Sequence, residues 1–159
     1  LKEKAIEDER IRVQQAEIAR KTAAMREIQA LLKQSGGRFR DNGNGTLTDT
    51  KTGLTWSMLD SSADLGRCLN YQAAEEYVKS LNIGGYSDWR LPTMNELAGI
   101  YKTPPYFPSV GQKWFWSADS FWHGWNRRIY TVNSVRESNW TKQDTDSEQC
   151  GTVHAVRRR

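Results

Sequence analysis

The first 34 residues differ sharply in composition from the rest of the chain. They contain no glycine, proline or aromatic residue and are rich in Ala, Glu, Lys, Arg and Gln. Because these residue types favour helices and the missing ones interrupt them, residues 1–35 are predicted to form one long helix. Ser35, Gly36 and Gly37 then end it. We therefore predict two domains: a helical stalk over residues 1–35 and a globular domain over residues 38–159.

A heptad pattern in the helical segment indicates self-association. Four apolar residues recur at a spacing of seven: Ile11, Ile18, Met25 and Leu32. Ile28 adds one position of the second core row. Such a pattern favours a coiled coil, and an isoleucine-rich first row favours more than two strands. We therefore predict a homo-oligomer, specifically a trimer, formed through residues 4–32; the alternatives are a solvated linker or a packed helix.

The run 84–97 combines residue types that form a turn, a helix cap and a core. Its two glycines permit a turn, and Pro92 fixes φ just before a new helix. Thr93 and Glu96 have the spacing of a capping box, while Trp89 can supply an aromatic core. We therefore predict a structural role for this run rather than a catalytic one. The residues predicted to be structural are Trp56, Asp88, Trp89, Arg90, Pro92, Glu96 and Trp116.

Short strands and two helices are predicted after residue 38. Two Asn-Gly steps within 41–45 predict a hairpin, and a second turn at 52–53 leads into a third strand. Helical spacing of apolar residues and the capping box predict the helices. The predicted strands are 38–40, 46–49, 54–57, 114–119, 128–133 and 152–157, and the helices are 70–81 and 93–101. This order predicts an α+β domain with one mixed core.

Five tryptophans lie between Trp114 and Trp140, in the more basic third of the chain. Strand alternation places Trp114 and Trp116 on one face and Phe115 on the other, so only some of the aromatic residues can be buried. An exposed aromatic platform beside basic groups can stack on a sugar ring and bind its hydroxyl or sulfate groups. The alternative is that these tryptophans are core residues and the charges are solvated. The predicted ligand-binding residues are Trp122, His123, Trp125, Asn126, Arg127, Arg128, Arg136, Asn139, Trp140 and Lys142.

The sequence carries none of the common catalytic or metal-binding motifs. His123, His154, Cys68 and Cys150 lack the spacing of zinc ligands, so no metal and no cofactor are predicted. A nucleophile elbow, a phosphate-binding loop and a dinucleotide fingerprint are also absent, so no enzymatic activity is expected. The net charge of +4 is mild, so nucleic acid is not an expected partner. With no sufficiently long apolar stretch, membrane contact is expected only through a region outside this chain.

Three blocks of the sequence resemble one bacterial domain family. They are the stretch 38–56 with its repeated Asn-Gly turns, the run 85–97, and a looser block formed by 115–120 with the closing 153–157. They are similar to the family typified by the C-terminal domain of the Legionella collagen-like adhesin. The resemblance implies a C-type-lectin-like architecture, related to that of the formylglycine-generating enzymes. The closing strand of the family often carries a cysteine near its last valine, where this chain has Ala155.

The resemblance also implies a disulfide between Cys68 and Cys150. These cysteines precede the first domain helix and the last strand, a placement similar to the long disulfide of C-type lectins. A bond between them would close a loop of about eighty residues and would indicate an oxidising, extracytoplasmic compartment. The alternative is two unpaired thiols.

The function implied by the resemblance is a non-catalytic, exported binding module. The typifying adhesin domain binds sulfated polysaccharides, so the expected ligand is carbohydrate, including anionic or sulfated polysaccharide. Display on an oligomeric stalk would multiply weak single-site binding. A second hypothesis is a structural or assembly subunit of a bacterial envelope or appendage complex, in which the aromatic surface contacts protein. A third is a relative of the formylglycine-generating enzymes, which would need a suitably placed reactive cysteine pair.

Overall fold

Within the described residues, the chain forms two small antiparallel sheets, four α-helices and a short 3-10 helix, Lys33–Ser35. The computed structural model describes residues 1–109, 111–135 and 143–158. Its helices are α1 (Lys2–Leu32), α2 (Ser61–Leu65), α3 (Tyr71–Ser80) and α4 (Met94–Tyr101). Its strands are β1 (Phe39–Asp41), β2 (Thr46–Asp49), β3 (Thr55–Ser57), β4 (Trp114–His123), β5 (Asn126–Asn133), β6 (Gln143–Asp146) and β7 (Val156–Arg157). The sheet orders are β1-β2-β3-β7 and β4-β5-β6. The predicted α+β arrangement after a long helix is confirmed.

The hairpin predicted from the two Asn-Gly steps is formed by β1 and β2. Gly43 and Gly45 take φ angles of 75° and 84°, a region that residues with a Cβ atom resist. The next strand, β3, pairs with β2 and brings Trp56 opposite Leu47. Both side chains are fully buried, so this meander supplies one wall of the core.

The two predicted domain helices begin at the residues that their caps indicate. The Asn70 side chain accepts a hydrogen bond from the amide of Ala73 at the start of α3. Thr93 and Glu96 form the reciprocal capping box at the start of α4. Because each cap satisfies amides that have no partner inside the helix, the starts are determined locally.

Two short elements are absent from the sequence prediction. Helix α2 begins after Asp60, whose carboxylate accepts from the amide of Ala63, and ends at Gly66 with φ of 72°. It has five residues, which is too short for helical periodicity to be visible. Strand β6 has the sequence Gln-Asp-Thr-Asp, which lacks the apolar alternation that indicates a strand.

The predicted closing strand 152–157 is wrong in extent, because only Val156 and Arg157 form β7. The segment 152–156 runs from the sheet that contains β4 to the sheet that contains β3. Thr152 forms an isolated parallel bridge with Phe115, while Val156 pairs with Trp56 of the first sheet. This segment therefore ties the two sheets together instead of continuing one of them.

Strand β4 separates two apolar clusters. Phe115 belongs to the cluster that contains Trp56 and Tyr101. Trp116 belongs to the cluster that contains Tyr71, Trp89 and Ile129, and Trp114 packs against it. The rings of Trp114 and Trp116 lie 4.9 Å apart. The predicted alternation of these three aromatic residues is confirmed.

The C-terminal third of α1 packs on the globular domain of its own chain. Met25, Ile28 and Leu32 join the cluster around Trp56. Four apolar residues nearer the N-terminus remain exposed: Ile6, Ile11, Val13 and Ile18. The heptad row is therefore divided, and its last two residues, Met25 and Leu32, cover an apolar core instead of facing a second helix. The trimer through residues 4–32 stays a prediction, and its exposed apolar positions are those in the N-terminal part of α1.

Polar contacts fix the middle of α1 to α2. The guanidinium of Arg20 donates to the carbonyl oxygens of Ala63 and Asp64, which end α2. Lys21 Nζ lies 3.1 Å from a carboxylate oxygen of Asp64. A Cβ atom at Gly66 would lie 2.7 Å from a terminal nitrogen of Arg20, so a larger residue there would displace the end of the Arg20 side chain. Helix α1 is thus attached to the domain by apolar and charged contacts together.

Candidate functional site at the hairpin tip

The predicted ligand-binding tryptophans lie at the end of a long hairpin. Strands β4 and β5 extend beyond their predicted bounds and are joined by Gly124 and Trp125. Gly124 has φ of 62° at the first central position of the turn, where a type II′ turn favours glycine. The predicted end of the strand 114–119 is therefore wrong, because β4 continues to His123 and includes Trp122. The sequence lacks an Asn-Gly step here, so the turn was not evident.

Two tryptophans at this tip are turned to solvent. Trp125 is 97% exposed and Trp122 is 70% exposed, whereas Trp56, Trp89 and Trp116 are buried. Of the tryptophans between 114 and 140, Trp116 is therefore a core residue, whereas Trp122 and Trp125 are not. Exposed indoles offer apolar area of the kind that binds ligands.

The predicted ligand-binding residues divide between the two faces of the hairpin. The register places Trp122 opposite Arg127 and Phe121 opposite Arg128. Because side chains alternate along a strand, these two pairs lie on opposite faces. On the second face, the rings of Phe121 and Tyr130 stack with centroids 4.8 Å apart. The residues therefore do not form the single platform that the sequence suggested.

The remaining predicted ligand residues are only partly covered by the structure. His123 and Asn126 are exposed and lie opposite each other beside the turn. Arg128 is half-buried and pairs in register with Asp146 of β6. Four further predicted residues lie outside the described part of the chain: Arg136, Asn139, Trp140 and Lys142.

Arg127 is held in place by contacts with α3 and β4. Its guanidinium carbon lies 5.2 Å from the ring centroid of Tyr71, and its Nε donates to the Ser120 hydroxyl. Burial, with the nearby Glu75 carboxylate, raises the pKa of the Tyr71 phenol, so the ring below the guanidinium stays neutral. The terminal nitrogens of Arg127 make no hydrogen bond within the described ranges. They are therefore available to an anionic group.

An open groove of about 570 Å³ begins beside Arg127 and runs between α3 and the segment 89–93. Its cations are Arg127, Lys79 and Arg90. Arg90 is already engaged, because its two terminal nitrogens donate to the Glu96 carboxylate at 2.8 and 2.9 Å. Lys79 is exposed and forms no ion pair among the described residues. The groove therefore combines aromatic surface with two available positive charges and one carboxylate, that of Glu75.

The predicted structural run 84–97 holds the end of the chain against the domain. The backbone amide and carbonyl groups of Arg90 bond those of Val156, and Trp89 and Pro92 are buried. Asp88 accepts two hydrogen bonds from Arg157. Burial raises the pKa of Glu96, but its hydrogen bonds from Arg90 and from the amide of Thr93 lower it below the ordinary value overall. These contacts position the wall of the groove.

The role of Arg38 is not evident from the sequence. All five of its guanidinium hydrogens are used: two on the Asp49 carboxylate and one each on the carbonyl oxygens of Gly99, Thr103 and Pro105. Burial raises the pKa of Asp49, but Arg38, Thr52 and the amide of Lys51 lower it overall. These partners lie far apart in the sequence, so no local motif could have indicated them.

Cys68 and Cys150 form the predicted disulfide. Their Cα atoms are 5.3 Å apart, and the bond spans 82 positions of sequence. The neighbouring residues Leu69 and Gly151 form a backbone bridge with two hydrogen bonds. The alternative of two unpaired thiols is therefore excluded in this structure.

Membrane-spanning helices and metal-binding clusters are both absent from residues 1–109, 111–135 and 143–158. Within these ranges, no helix combines the length and the apolar character that crossing a bilayer requires. In the same ranges, no three or more His, Cys, Asp or Glu side chains cluster in a way that could hold a metal ion.

These features define a disulfide-bonded α+β domain that presents an exposed aromatic hairpin and an adjoining groove. The model of the Lcl C-terminal domain family matches residues 45–157, which contain every element except α1, the 3-10 helix and β1. The chain therefore belongs to the Lcl C-terminal domain family, an adhesin-related domain. Neither the curated proteins nor the solved structures include a match to it.

Proposed function

We propose that this chain is a non-catalytic, extracytoplasmic adhesin module that binds anionic carbohydrate at the tip of the β4–β5 hairpin. The observation that carries the proposal is the exposure of Trp122 and Trp125 beside the available guanidinium of Arg127. Membership of an adhesin-related family supports it. The sulfated polysaccharides implied by the family resemblance have the chemistry that this surface can recognise.

The arrangement at the tip suits an acidic sugar. The apolar face of a sugar ring can stack on the Trp122 indole, while a planar guanidinium binds a sulfate or carboxylate through paired hydrogen bonds. Directly opposite residues in an antiparallel pair have Cβ atoms about 5 Å apart, so Trp122 and Arg127 can contact one saccharide unit. The groove with Lys79 can take the next unit of a polymer.

The disulfide supports the extracytoplasmic location. Disulfides persist in oxidising compartments and are rare where thiols are kept reduced. The bond between Cys68 and Cys150 is thus in keeping with an adhesin module displayed outside the cytoplasm.

Oligomeric display is the second part of the proposal. Ile11 and Ile18 keep the heptad spacing and remain exposed, while the rest of the row is covered by the domain. The N-terminal part of α1 therefore pairs with its copies in a trimer, and the heads project from it. Several heads on one stalk raise the overall affinity for a repetitive polymer without new contacts.

A glycan array tests the ligand class. Wild-type protein should bind sulfated or carboxylated glycans, and Trp122→Ala, Trp125→Ala and Arg127→Ala should each reduce binding at least tenfold. Arg67→Ala is the matched control, because Arg67 is exposed and remote in sequence from the hairpin. Binding to no glycan, or binding unaffected by all three changes, would contradict the proposal and favour the assembly-subunit hypothesis.

A further inference from the structure

A separate cavity lies where α1 crosses the globular domain. Its volume is about 260 Å³. Ala24 and Ile28 of α1 form one side, and Met58, Phe107 and Pro108 of the domain are among the residues on the other. Pockets that bind small molecules are mostly apolar and contain a few polar groups, which is the composition of this one.

The most deeply buried polar groups of the cavity already have partners. His154 is fully buried; its Nε2 lies 2.7 Å from the carbonyl oxygen of Ser57, and its Nδ1 lies 2.8 Å from the Tyr101 hydroxyl. Because a carbonyl oxygen can only accept, Nε2 carries the proton and Nδ1 accepts from Tyr101. Burial lowers the pKa of His154 to about 4, so the ring is neutral near pH 7.

The two less exposed charges of the cavity, Asp60 and Lys113, are paired with each other. One carboxylate oxygen of Asp60 accepts from the amide of Ala63, and the other lies 2.8 Å from Lys113 Nζ. Glu27 also lines the cavity, but it is exposed and therefore hydrated. An anionic ligand would also be repelled by Glu27, and a cationic ligand would gain only this exposed carboxylate, whose attraction water weakens. A charged ligand would therefore lose more hydration than it recovers inside the cavity.

The volume limits the size of the occupant. A cavity of about 150 Å³ lined by apolar side chains holds benzene, so this one can hold a molecule of about ten non-hydrogen atoms. We propose that the cavity is a binding site for a neutral, mainly apolar small molecule of this size, such as a bicyclic aromatic compound. Such a molecule contacts α1 and the domain at once. Its binding therefore stabilises the docked position of α1.

Methyl NMR of the wild-type protein tests the site directly, with indole as the probe. The chain has three methionines. Met58 lines the cavity, whereas Met94 does not and serves as an internal control. Indole should shift the Met58 methyl resonance in a saturable manner and leave that of Met94 in place. Its charged analogues, tryptamine and indole-3-acetate, should bind at least tenfold more weakly.

A pair of alanine variants provides the second test. Ala24→Leu fills the cavity and should abolish the rise in melting temperature that indole causes. Ala23→Leu adds the same volume at an exposed neighbouring position of α1 and should leave that rise unchanged. An unshifted Met58 resonance at saturating indole would overturn the proposal. Equal binding of the charged analogues, or an undiminished response in Ala24→Leu, would do the same.

Discussion

Arg38 contacts three other parts of the globular domain through one buried side chain. It connects β2 through Asp49, the C-terminal turn of α4 through Gly99, and the following loop through Thr103 and Pro105. A buried charge is tolerated only when its hydrogen bonds are satisfied, and here all five donors are used. The guanidinium geometry, and not the charge alone, makes this possible.

Removing Arg38 should therefore destabilise the domain strongly. We expect Arg38→Ala to lower the free energy of unfolding by about 3–5 kcal/mol, because Asp49 is left buried and unpaired. Arg38→Lys should recover little of this free energy of unfolding, since an ammonium group has three donors in place of five. Urea unfolding measures the change. The control is Arg40→Ala in β1, two residues further along the chain, where the side chain is exposed; equal stability of the Arg38 and Arg40 variants would contradict this role.

His154 should make the domain sensitive to mild acid. Its folded-state pKa of about 4 lies below the ordinary value near 6.5, so the unfolded chain binds the proton more readily. The free energy of unfolding should therefore fall by about 3 kcal/mol as the pH drops from 6.5 to 4, and this contribution is complete below pH 4. Asp49 and Glu96, whose pKa values are lowered, lose their stabilisation at still lower pH.

Chemical denaturation across this pH range checks the effect of His154. His123→Gln should keep the slope, because His123 is exposed at the hairpin. His154→Gln should remove the slope between pH 6.5 and 4, whatever its effect on stability at neutral pH. A wild-type protein that is equally stable at pH 6.5 and 4.5 would refute the assignment.

Elements whose signals are local could be predicted from the sequence. The caps at Asn70 and Thr93 act within three residues, and the glycines at 43 and 45 determine a tight hairpin by themselves. The alternation of Trp114, Phe115 and Trp116 follows from strand geometry alone. For these elements, the residues that specify the structure are neighbours in the sequence.

Elements that depend on distant partners could not be predicted in the same way. The closing strand was predicted too long because its residues pair with both sheets, and β6 has no apolar pattern of its own. At the candidate site, Trp122, Trp125 and Arg127 were named as ligand-binding residues, a role that stays a prediction. Which tryptophans are exposed, and how the residues divide between two faces, depends on the register of β4 and β5. The groove brings α3 against residues 89–93, which no local pattern reveals.

The disulfide should be a major source of stability for these connected elements. Replacing both Cys68 and Cys150 by serine releases a long loop and should lower the free energy of unfolding by about 4 kcal/mol. Thermal unfolding with and without a reducing agent measures this. The reducing agent should destabilise the wild-type protein and leave the double variant unchanged. A loss below about 1 kcal/mol would contradict the expected contribution of the loop.

The N-terminal part of α1, with Ile11 and Ile18, is exposed, whereas its C-terminal third packs on the globular domain. This difference determines which surface of α1 is open to other copies of the chain. At the heptad positions, Ile11 and Ile18 are exposed, whereas Met25 and Leu32 pack against the domain. Self-association should therefore respond to substitutions at Ile11 and Ile18 and leave the fold of the head intact. The cavity described above lies between α1 and the globular domain.

Light scattering coupled to size-exclusion chromatography tests this assembly. The wild-type chain should run as a trimer at micromolar concentration, and the double change Ile11→Asp with Ile18→Asp should give a folded monomer. Ala16→Asp introduces the same group on the opposite side of the helix and should leave the trimer in place. A wild-type monomer at every concentration would rule out the oligomeric stalk.

The most direct test of the proposed adhesin function is an NMR titration of the tryptophan indole N–H signals with a heparin hexasaccharide. The chain has seven tryptophans, and Trp→Phe variants assign their signals. We predict saturable shifts for Trp122 and Trp125, no shifts for the buried Trp56 and Trp116, and much weaker effects of a neutral hexasaccharide. Unchanged Trp122 and Trp125 signals at saturating hexasaccharide would contradict the proposal that the hairpin tip binds anionic carbohydrate.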